Sequence, residues 1–365
     1  MKPPLAGIKI ADFSRVLAGP YATMLLADLG AQVIKVERPV VGDDTRGWGP
    51  PFDKDGNSTY FLSVNRNKEG LELDLTKESD QKAATDLIAS CDVVVENFGP
   101  GGMEKYNLGY SKLIGNNPKL IYCSISGFGT SEKAASLPGY DLLLQGMSGL
   151  MSITGSDENN PSKVGVALVD VITGLHAVVG ILAALRARGE QGIGQKVELN
   201  LLSSTLSALV NQASAYISAG IIPKAMGNAH PSIAPYQVFD AKDKKFIVAV
   251  GNDPQFIKFA GVISSDLIGD KRFATNQLRV ENRSELHNKL SAVFATNTAD
   301  HWINILGKVN IPAGAINNIK EAFDLAQSLG LKSVVEVDGV KSVANPITFS
   351  KTPVEYRLAP PNLKG

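Results

Sequence analysis

The 365-residue chain has few of the side chains from which metal and redox sites are built. It contains two cysteines, Cys91 and Cys123, and four histidines scattered along the sequence. None of these residues has the spacing of a metal site. Both cysteines lie in or beside segments predicted to be core strands. The sequence therefore predicts no bound metal and the reduced thiols of a cytoplasmic protein.

The chain also has no excess of charge of either sign. Lys plus Arg and Asp plus Glu each number 36, so no basic surface for nucleic acid is predicted. No apolar run reaches the length of a membrane span without a glycine or a charge, and residues 1–5 do not resemble a signal or transit peptide. We therefore expect a globular cytoplasmic protein whose partners include neither nucleic acid nor membrane.

Short apolar segments alternate with helical segments in the first 200 residues. Strands are predicted at residues 8–13, 32–37, 71–75, 92–96, 120–125 and 196–199. This alternation is typical of an α/β fold, with a Rossmann-like, mostly parallel sheet covered by helices on both faces. Neither a Gly-x-Gly-x-x-Gly fingerprint after the first strand nor a Walker A sequence occurs, so the sheet is not expected to bind NAD.

The rest of the chain predicts a second, smaller α+β domain inserted into the first. The predicted parts are a large domain at 1–200 and 325–365, a linker helix at 201–224 and a small domain at 225–324. A strand is expected at 245–250. Asp338-Gly339 is expected to be the two-residue turn of a hairpin.

One carboxylate, Asp170, lies in the apolar segment 165–185. Apolar residues recur there at the period of a buried helix face, at Val171, Leu175, Val178, Leu182 and Leu185. Another face has small side chains that would let a neighbouring backbone come close, at Gly174, Ala177, Gly180 and Ala184. Asp170 falls where the N-cap of this helix is expected. It is open to two interpretations, a helix cap or a functional carboxylate.

Asp141 is a second acid in apolar, glycine-flanked surroundings. It is either a cap for a helix starting near Leu142 or a functional acid whose pKa is raised by burial. His176 is interpreted as a core histidine, whereas His230, in a loop, is more open to a function. No Gly-x-Ser-x-Gly elbow occurs and neither cysteine has a histidine nearby, so the chemistry is expected among the carboxylates.

Several segments resemble the family III CoA-transferases, and together they cover nearly the whole chain. They are residues 5–13, 30–39, 95–101, 138–141, 148–151 and the segment around Asp170. Residues 165–174, 200–204 and 235–237 are most similar to the succinate–hydroxymethylglutarate transferases of that family. The resemblance implies a homodimer of interlocked chains, with acyl-CoA and a carboxylic acid as substrates and no tightly bound cofactor. A dicarboxylate such as succinate or glutarate is expected.

The resemblance also implies that Asp170 is a nucleophile. Its carboxylate would attack the thioester of an acyl-CoA to give a mixed anhydride, which the released thiolate would convert into an aspartyl-CoA thioester. An aspartate of ordinary pKa, about 3.9, is ionised at neutral pH and needs no general base. Tyr140 and Asp141 match residues beside the reacting acyl group.

Residues for binding coenzyme A follow from the same resemblance. They are Ala18, Arg38, Leu73, Asp74, Leu75, Thr76, Asn97, Phe98, Gly99 and Lys105. Arg38 would meet the phosphates and residues 73–76 the adenine side. Lys105 stands where relatives often have Arg, so it keeps the charge without the bidentate fork.

The sequence also departs from the family pattern. Leu17 replaces a glutamine that lies near the nucleophile in formyl-CoA transferases, and residues 227–236 take the place of their glycine-rich lid. Relatives usually continue beyond position 365 into a C-terminal helix.

Two other functions remain open. An α-methylacyl-CoA racemase shares the fold, but typically has His where Tyr140 stands, and phenol is a weak base at neutral pH. A CoA-binding protein without turnover would be indifferent to Asp170. Arg15 is a candidate partner for the far carboxylate of a dicarboxylate, and is equally open to being a surface residue.

Overall fold

The chain forms two compact units in a computed structural model that describes residues 1–363. Unit 1 consists of Met1–Met151, Lys163–Ile222 and the residues from Gly330 onward. Unit 2 consists of Ser152–Ser162 and Pro223–Leu329, so its residues interrupt those of unit 1 twice. Sequence analysis places residues 152–162 in the large domain. They group with unit 2 because Gly155 pairs with Pro161 in a β-bridge and its carbonyl accepts the N–H of Gly227.

Unit 1 is built on a six-stranded parallel sheet. Its strands are β1 (Lys9–Asp12), β2 (Gln32–Glu37), β3 (Lys68–Glu72), β4 (Val93–Glu96), β5 (Ile121–Ser126) and β6 (Lys196–Asn200). They lie in the order β3-β2-β1-β4-β5-β6, with every pair parallel. The Rossmann-like prediction is confirmed. The order reverses between β1 and β4, where ligands bind in doubly wound sheets.

Helices cover both faces of this sheet. They are α1 (Ala18–Asp28), α2 (Thr59–Ser63), α3 (Glu78–Ala89), α4 (Tyr110–Asn116), α5 (Glu132–Ala135), α6 (Asp141–Met147), α7 (Leu168–Gln191), α8 (Leu201–Ala208) and α9 (Val210–Ala219). Val93 and Val95 of β4 belong to the apolar cluster of α1 and α7, whereas Val94 belongs to the cluster of α3 and α4. Successive strand residues thus face opposite layers.

The small-residue face of α7 is its buried face. Gly174 and Ala177 are buried, and a Cβ added at Gly174 would lie 2.7 Å from the carbonyl oxygen of Ala18 in α1. Of the predicted large-residue face, Val178, Leu182 and Leu185 are half-buried and pack against the same core, whereas Leu175 is 44% exposed. That face therefore lies at the border of the core, and the close approach of α1 places the small residues at its centre.

Helix α7 also has the length and composition of a membrane span. Of the helices in the part of the chain that the structure describes, it alone passes that test, with a third of its most apolar window buried. Core helices of globular proteins pass the same test, and α7 packs against α1 and the sheet.

Unit 2 is a three-stranded antiparallel sheet with helices. Its strands β7 (Tyr236–Asp240), β8 (Lys245–Ala249) and β9 (Ala313–Ala315) pair in that order. Its helices are α10 (Asp253–Ile263), α11 (Asp266–Gly269), α12 (Asn276–Glu281), α13 (Arg283–Phe294), α14 (Ala299–Lys308) and α15 (Ile319–Ser328). Its aromatic core includes Phe239, Phe246, Phe294 and Trp302. The predicted hairpin, β10 (Val334–Val337) and β11 (Val340–Val343), belongs to unit 1 and is confirmed.

Three element predictions need correction. Strand β3 covers residues 68–72 rather than 71–75, because its sequence Lys-Glu-Gly-Leu-Glu has one apolar side chain and its buried first residue, Lys68, looks like a surface lysine in the sequence. The predicted linker helix is divided at Leu209 into α8 and α9, where Val210 has a φ of 41°. Strands β7 and β9 were missed, since each is short and only partly apolar.

Candidate active site

Two adjacent cavities lie at the carboxyl ends of the parallel strands. The first, of about 420 Å³, is bordered by the loops after β1, β4 and β5 and by the first turns of α6 and α7. Seven of the predicted site residues line it: Ala18, Asn97, Phe98, Gly99, Tyr140, Asp141 and Asp170. Leu17, a position for which sequence analysis gave no role, lines it as well.

The second cavity has a volume of about 270 Å³ and shares Arg15 and Phe98 with the first. The other predicted coenzyme A residues except Lys105 line it, namely Arg38, Leu73, Asp74, Leu75 and Thr76. Because β3 ends at Glu72, these four residues after it belong to the strand-end loop, which brings them to the site. Lys105 is exposed and lines neither cavity, although its neighbour Tyr106 lines the second.

Asp170 is the third residue of α7, so its predicted place as the N-cap is wrong. Ala167 occupies that position. Among residues 1–363 we find no hydrogen-bond or ion-pair partner for the Asp170 carboxylate, which faces the first cavity. Burial, and secondarily the charge of Asp141, raises the pKa of Asp170 to about 7. The expected ordinary pKa is therefore wrong, and Asp170 titrates near neutral pH rather than near pH 4.

Asp141 caps the helix that carries Asp170. It is the first residue of α6, not the cap of that helix as predicted, and its carboxylate accepts the N–H of Val169 at 2.9 Å and the Gln145 side-chain amide at 2.8 Å. The Gln145 carbonyl in turn accepts the N–H of Val164 at 2.8 Å. Asp141 and Gln145 thus fix the chain on both sides of the bend that leads into Asp170.

Tyr60 is close to the two acids, and sequence analysis missed it. Burial, followed by the charges of Asp170, Asp141 and Asp43, raises the pKa of Tyr60 to about 12. Its ring packs edge-to-face against Trp48, with 5.2 Å between centroids. Tyr60 therefore keeps its proton at neutral pH. No local pattern identifies it, since its proximity to Asp170 arises only from the fold.

Arg15 and Arg38 share one carboxylate, that of Asp44. The Asp44 oxygens lie 3.0 Å from Nη1 of Arg15 and 2.7 Å from Nη2 of Arg38. Among residues 1–363, the Nε of Arg15 is the side-chain nitrogen or oxygen that is fully shielded from solvent and yet has no hydrogen-bond partner. An unsatisfied buried donor costs about 1–3 kcal/mol.

Asn97 holds the loop after β1 against the loop after β4. Its side-chain oxygen accepts the N–H of Arg15 at 2.8 Å, and its amide donates to the carbonyl of Arg15 at 2.7 Å. Asn97 was predicted to line the path of coenzyme A. Both ends of its amide are occupied by the protein backbone, so it shapes the cavity by positioning Arg15.

A buried network of charges supports the loop after β1. Lys68 bonds Asp12 at 3.1 Å and Lys35 bonds Asp43 at 2.9 Å, and all four side chains are inaccessible to solvent. Burial lowers the pKa of Lys68 to about 8. Burial alone would raise the pKa of Asp12, but Lys68 and Lys35 outweigh it and lower that pKa.

Val16 adopts a strained conformation at the edge of the first cavity. Its φ of 69° is unfavourable for a β-branched residue, and the Asp43 carboxylate accepts its N–H at 3.2 Å. Such strain persists where the surroundings over-determine the backbone, and it is frequent at functional sites. The buried charges therefore specify the shape of the loop that leads to Ala18.

Histidines and cysteines do not contribute to this site. In residues 1–363 no group of three or more His, Cys, Asp or Glu side chains is arranged to hold a metal ion. Cys91 and Cys123 are buried free thiols, and burial raises the pKa of both. His230 belongs to unit 2, where its Nδ1 accepts the N–H of Ser232 at 3.1 Å.

Comparisons of the sequence with known proteins agree on one family. A family model described as CoA-transferase family III matches residues 5–365. The chain is 43% identical to a succinyl-CoA:glutarate CoA-transferase of Mus musculus over 99% of its own length and 84% of that protein. It is 42% identical to a succinate–glutarate CoA-transferase of Agrobacterium fabrum, covering 99% and 93%, and 37% identical to an acetyl-CoA:oxalate CoA-transferase of Acetobacter aceti, covering 96% and 90%.

Solved structures with the same fold include a CAIB/BAIF family protein of Brucella suis. That structure is 42% identical, with a TM-score of 0.89 over 100% of this chain and 97% of its own. The Rv3272 protein of Mycobacterium tuberculosis is 28% identical, with a TM-score of 0.88 over 99% and 97%.

Proposed function

Because the chain belongs to CoA-transferase family III, we propose that it moves CoA from an acyl-CoA to a dicarboxylic acid. Succinyl-CoA is the expected donor, and the reaction passes through a covalently acylated Asp170. The observation that carries this proposal is the Asp170 carboxylate itself. It lines the first cavity, has no partner among the described residues, and has a pKa of about 7. A desolvated carboxylate that is not held by hydrogen bonds is a better nucleophile than a solvated one.

The first half of the reaction transfers the donor acyl group. The ionised Asp170 oxygen bonds to the thioester carbon, the carbon–sulfur bond breaks, and coenzyme A leaves as a thiolate. The thiolate then attacks the Asp170 carbonyl of the mixed anhydride and displaces the donor acid as a carboxylate. The product is an aspartyl-CoA thioester, which has conserved the energy of the original thioester.

The second half reverses these steps with a new acid. The acceptor carboxylate attacks the aspartyl thioester, the thiolate leaves, and a new anhydride forms. Attack of the thiolate on the acceptor carbonyl releases the new acyl-CoA and restores the Asp170 carboxylate. The N-terminus of α1 opens on the cavity at Ala18. The partial positive charge of a helix N-terminus favours the oxyanions formed in each step.

The choice of a dicarboxylic acceptor is supported by the relatives. Those named for glutarate, oxalate and mesaconate all transfer CoA to an acid with two carboxyl groups. The second cavity fits the nucleotide end of coenzyme A, because Arg38 is half-exposed there and available to a phosphate. Coenzyme A is thus a substrate, and we propose no tightly bound cofactor.

Racemisation is less well supported by the side chains present. Exchange of an α-proton needs a general acid and a base on the two faces of the substrate. The residues described as lining the first cavity include no histidine, and both oxygens of Asp141 already accept hydrogen bonds. Tyr140 stands at the position of the racemase histidine, and phenol is a weak base.

We also propose a homodimer of interlocked chains in the cytoplasm. Apolar side chains are exposed on α7, α8 and α9 of one chain, namely Leu175, Val179, Leu206, Val210, Tyr216 and Ile217. Their concentration on three consecutive helices, rather than singly over the surface, supports association. Light scattering at micromolar concentration tests this, and a monomer would contradict it.

The decisive experiment traps acylated Asp170. Enzyme mixed with succinyl-CoA and then hydroxylamine should show a hydroxamate on the peptide that contains Asp170, by mass spectrometry. Asp170→Asn should remain folded and bind CoA but lose transfer, because an amide cannot form the anhydride. An active Asp170→Asn variant, or deuterium exchange at the α-carbon of a 2-methylacyl-CoA without CoA transfer, would overturn the proposal.

A further inference from the structure

Arg15 is the basic side chain of the Asp170 cavity. Four charged residues are described as lining that cavity, and the other three are the carboxylates Asp44, Asp141 and Asp170. A substrate carboxylate that enters beside three carboxylates is repelled unless a cation neutralises it. Arg15 is the group that can do so.

The guanidinium group of Arg15 is only partly used within the protein. Its Nη1 donates to Asp44, while its Nε has no acceptor. Asp44 also accepts from Arg38, so two guanidinium groups share a single carboxylate. The cluster therefore keeps a net positive charge and an unsatisfied donor, and both favour one further anion.

The backbone of Arg15 is fixed while its side chain has room to turn. Asn97 holds both the N–H and the carbonyl of Arg15, and the guanidinium lies 5.5 Å from the centroid of the Phe98 ring. The side chain is 36% exposed. A turn away from Asp44 would present Nε and one terminal nitrogen to the same carboxylate, which is the bidentate geometry that arginine favours.

We propose that Arg15 binds the carboxylate that does not react, and that it thereby selects dicarboxylic substrates. This inference rests on the proposed CoA transfer. The donor and the acceptor each place their reacting carbonyl at Asp170 in turn. The far carboxylate of a succinyl group and that of the incoming acid therefore occupy the same place, and one arginine serves both halves of the reaction.

The competing role for Arg15 is the binding of the phosphates of coenzyme A. Arg15 also lines the second cavity, beside Arg38. A phosphate role would affect every acyl-CoA equally, whereas recognition of the far carboxylate affects only substrates that carry one. The two roles therefore differ in what they do to substrate preference.

Glutarate and monomethyl glutarate are the matched acceptors for this test, since they differ in one charge and little in length. Wild-type enzyme should prefer glutarate in kcat/KM, and Arg15→Gln should reduce that preference by about 10- to 100-fold, with the KM for butyryl-CoA as donor unchanged. Arg38→Gln is the control, and it should raise the KM for every acyl-CoA while keeping the preference. Arg15→Lys should restore part of the preference for glutarate that Arg15→Gln loses.

An Arg15→Gln variant that keeps the wild-type preference would overturn the inference. A rise in the KM of Arg15→Gln for butyryl-CoA, with the preference for glutarate intact, would also overturn it. That result would assign Arg15 to binding of the coenzyme A phosphates. If Arg15→Gln does not fold, as judged by circular dichroism, the same comparison is made with Arg15→Lys. Hydroxylamine trapping of wild-type enzyme with succinyl-CoA tests the proposed function separately. Absence of acylated Asp170 there would overturn the proposed transfer itself, whereas an unchanged acceptor preference in Arg15→Gln would overturn only the role of Arg15.

Discussion

The carboxylate of Asp141 accepts a hydrogen bond of 2.9 Å from the N–H of Val169, the residue before Asp170. The same carboxylate contributes to the raised pKa of Asp170 through its charge. One side chain thus has two effects on Asp170, the proposed nucleophile. It holds the first turn of α7 in place, and it makes the Asp170 carboxylate more basic than an isolated one.

Replacement of Asp141 by asparagine separates these two effects. The asparagine oxygen can still accept from Val169, but the negative charge is gone, so the pKa of Asp170 should fall below about 7. The acid limb of the rate of Asp170 acylation, followed as thiol release in a single turnover, should move to lower pH. A limb that stays in place would show that Asp141 acts on Asp170 only through structure.

Asp170 should make the folded protein less stable as the pH rises. Its folded pKa of about 7 exceeds the model value of 3.8, so between these values the folded state keeps a proton that the unfolded state has lost. Stability should fall through this window and level off above it. Each pKa unit corresponds to about 1.4 kcal/mol, so Asp170→Asn should gain about 2–4 kcal/mol relative to wild type between pH 4 and pH 8.

Urea unfolding of the two proteins at several pH values measures this gain. The difference in free energy of unfolding should grow from pH 4 to pH 7 and then remain constant. A difference that is the same at every pH would mean that Asp170 titrates as it does in the unfolded chain.

Gly174→Ala should destabilise the protein and disturb the site. The new methyl group would lie 2.7 Å from the Ala18 carbonyl oxygen, and overpacking of this kind costs about 1–3 kcal/mol. Because Ala18 lines the first cavity, acylation should also slow. Gly189→Ala in the same helix meets open space and is the control. It should stabilise the protein by about 0.5–1 kcal/mol, and equal effects of the two changes would contradict the close approach of α1 and α7.

Asp28→Ala should be among the most damaging substitutions outside the site. Its buried carboxylate accepts from Arg66 at 2.6 Å and from Asn67 at 2.7 Å. Removal of one partner of a buried ion pair typically costs about 3–5 kcal/mol. The control is Asp86→Ala, which breaks an exposed pair with Lys82 and should cost no more than about 0.5 kcal/mol. Thermal melting of both variants checks the contrast.

Most of the sheet could be predicted from the sequence, because β1, β2, β4 and β5 are largely apolar segments and β6 alternates apolar and polar residues. The exception is strand β3, whose bounds were predicted wrongly. Strand β3 begins with Lys68, which reads as a surface residue until Asp12, 56 positions away, is seen to pair with it. Periodicity contains no information about such a partner.

The proposed nucleophile and the candidate coenzyme A residues were predicted from the family resemblance, and all of them except Lys105 line the two cavities. What the sequence could not supply was their environment. The raised pKa of Asp170, the proximity of Tyr60 and the sharing of Asp44 by two arginines depend on distances between segments far apart in the chain. The cap role of Asp141 was assigned to the wrong helix for the same reason.

The anchoring of the last segment to Asp28 also has a consequence for synthesis on the ribosome. Asn345 donates to the Asp28 carboxylate across 317 positions, and Asn67 donates to the carbonyl of Glu355. At roughly 5–20 residues per second, Asp28 waits about 15–60 s for Asn345 to be made. During that time all residues of unit 2 have been translated, so the unit that is begun later can complete its core first. The contacts that Asn345 and Glu355 add to the large unit therefore form only after all of unit 2 has been translated.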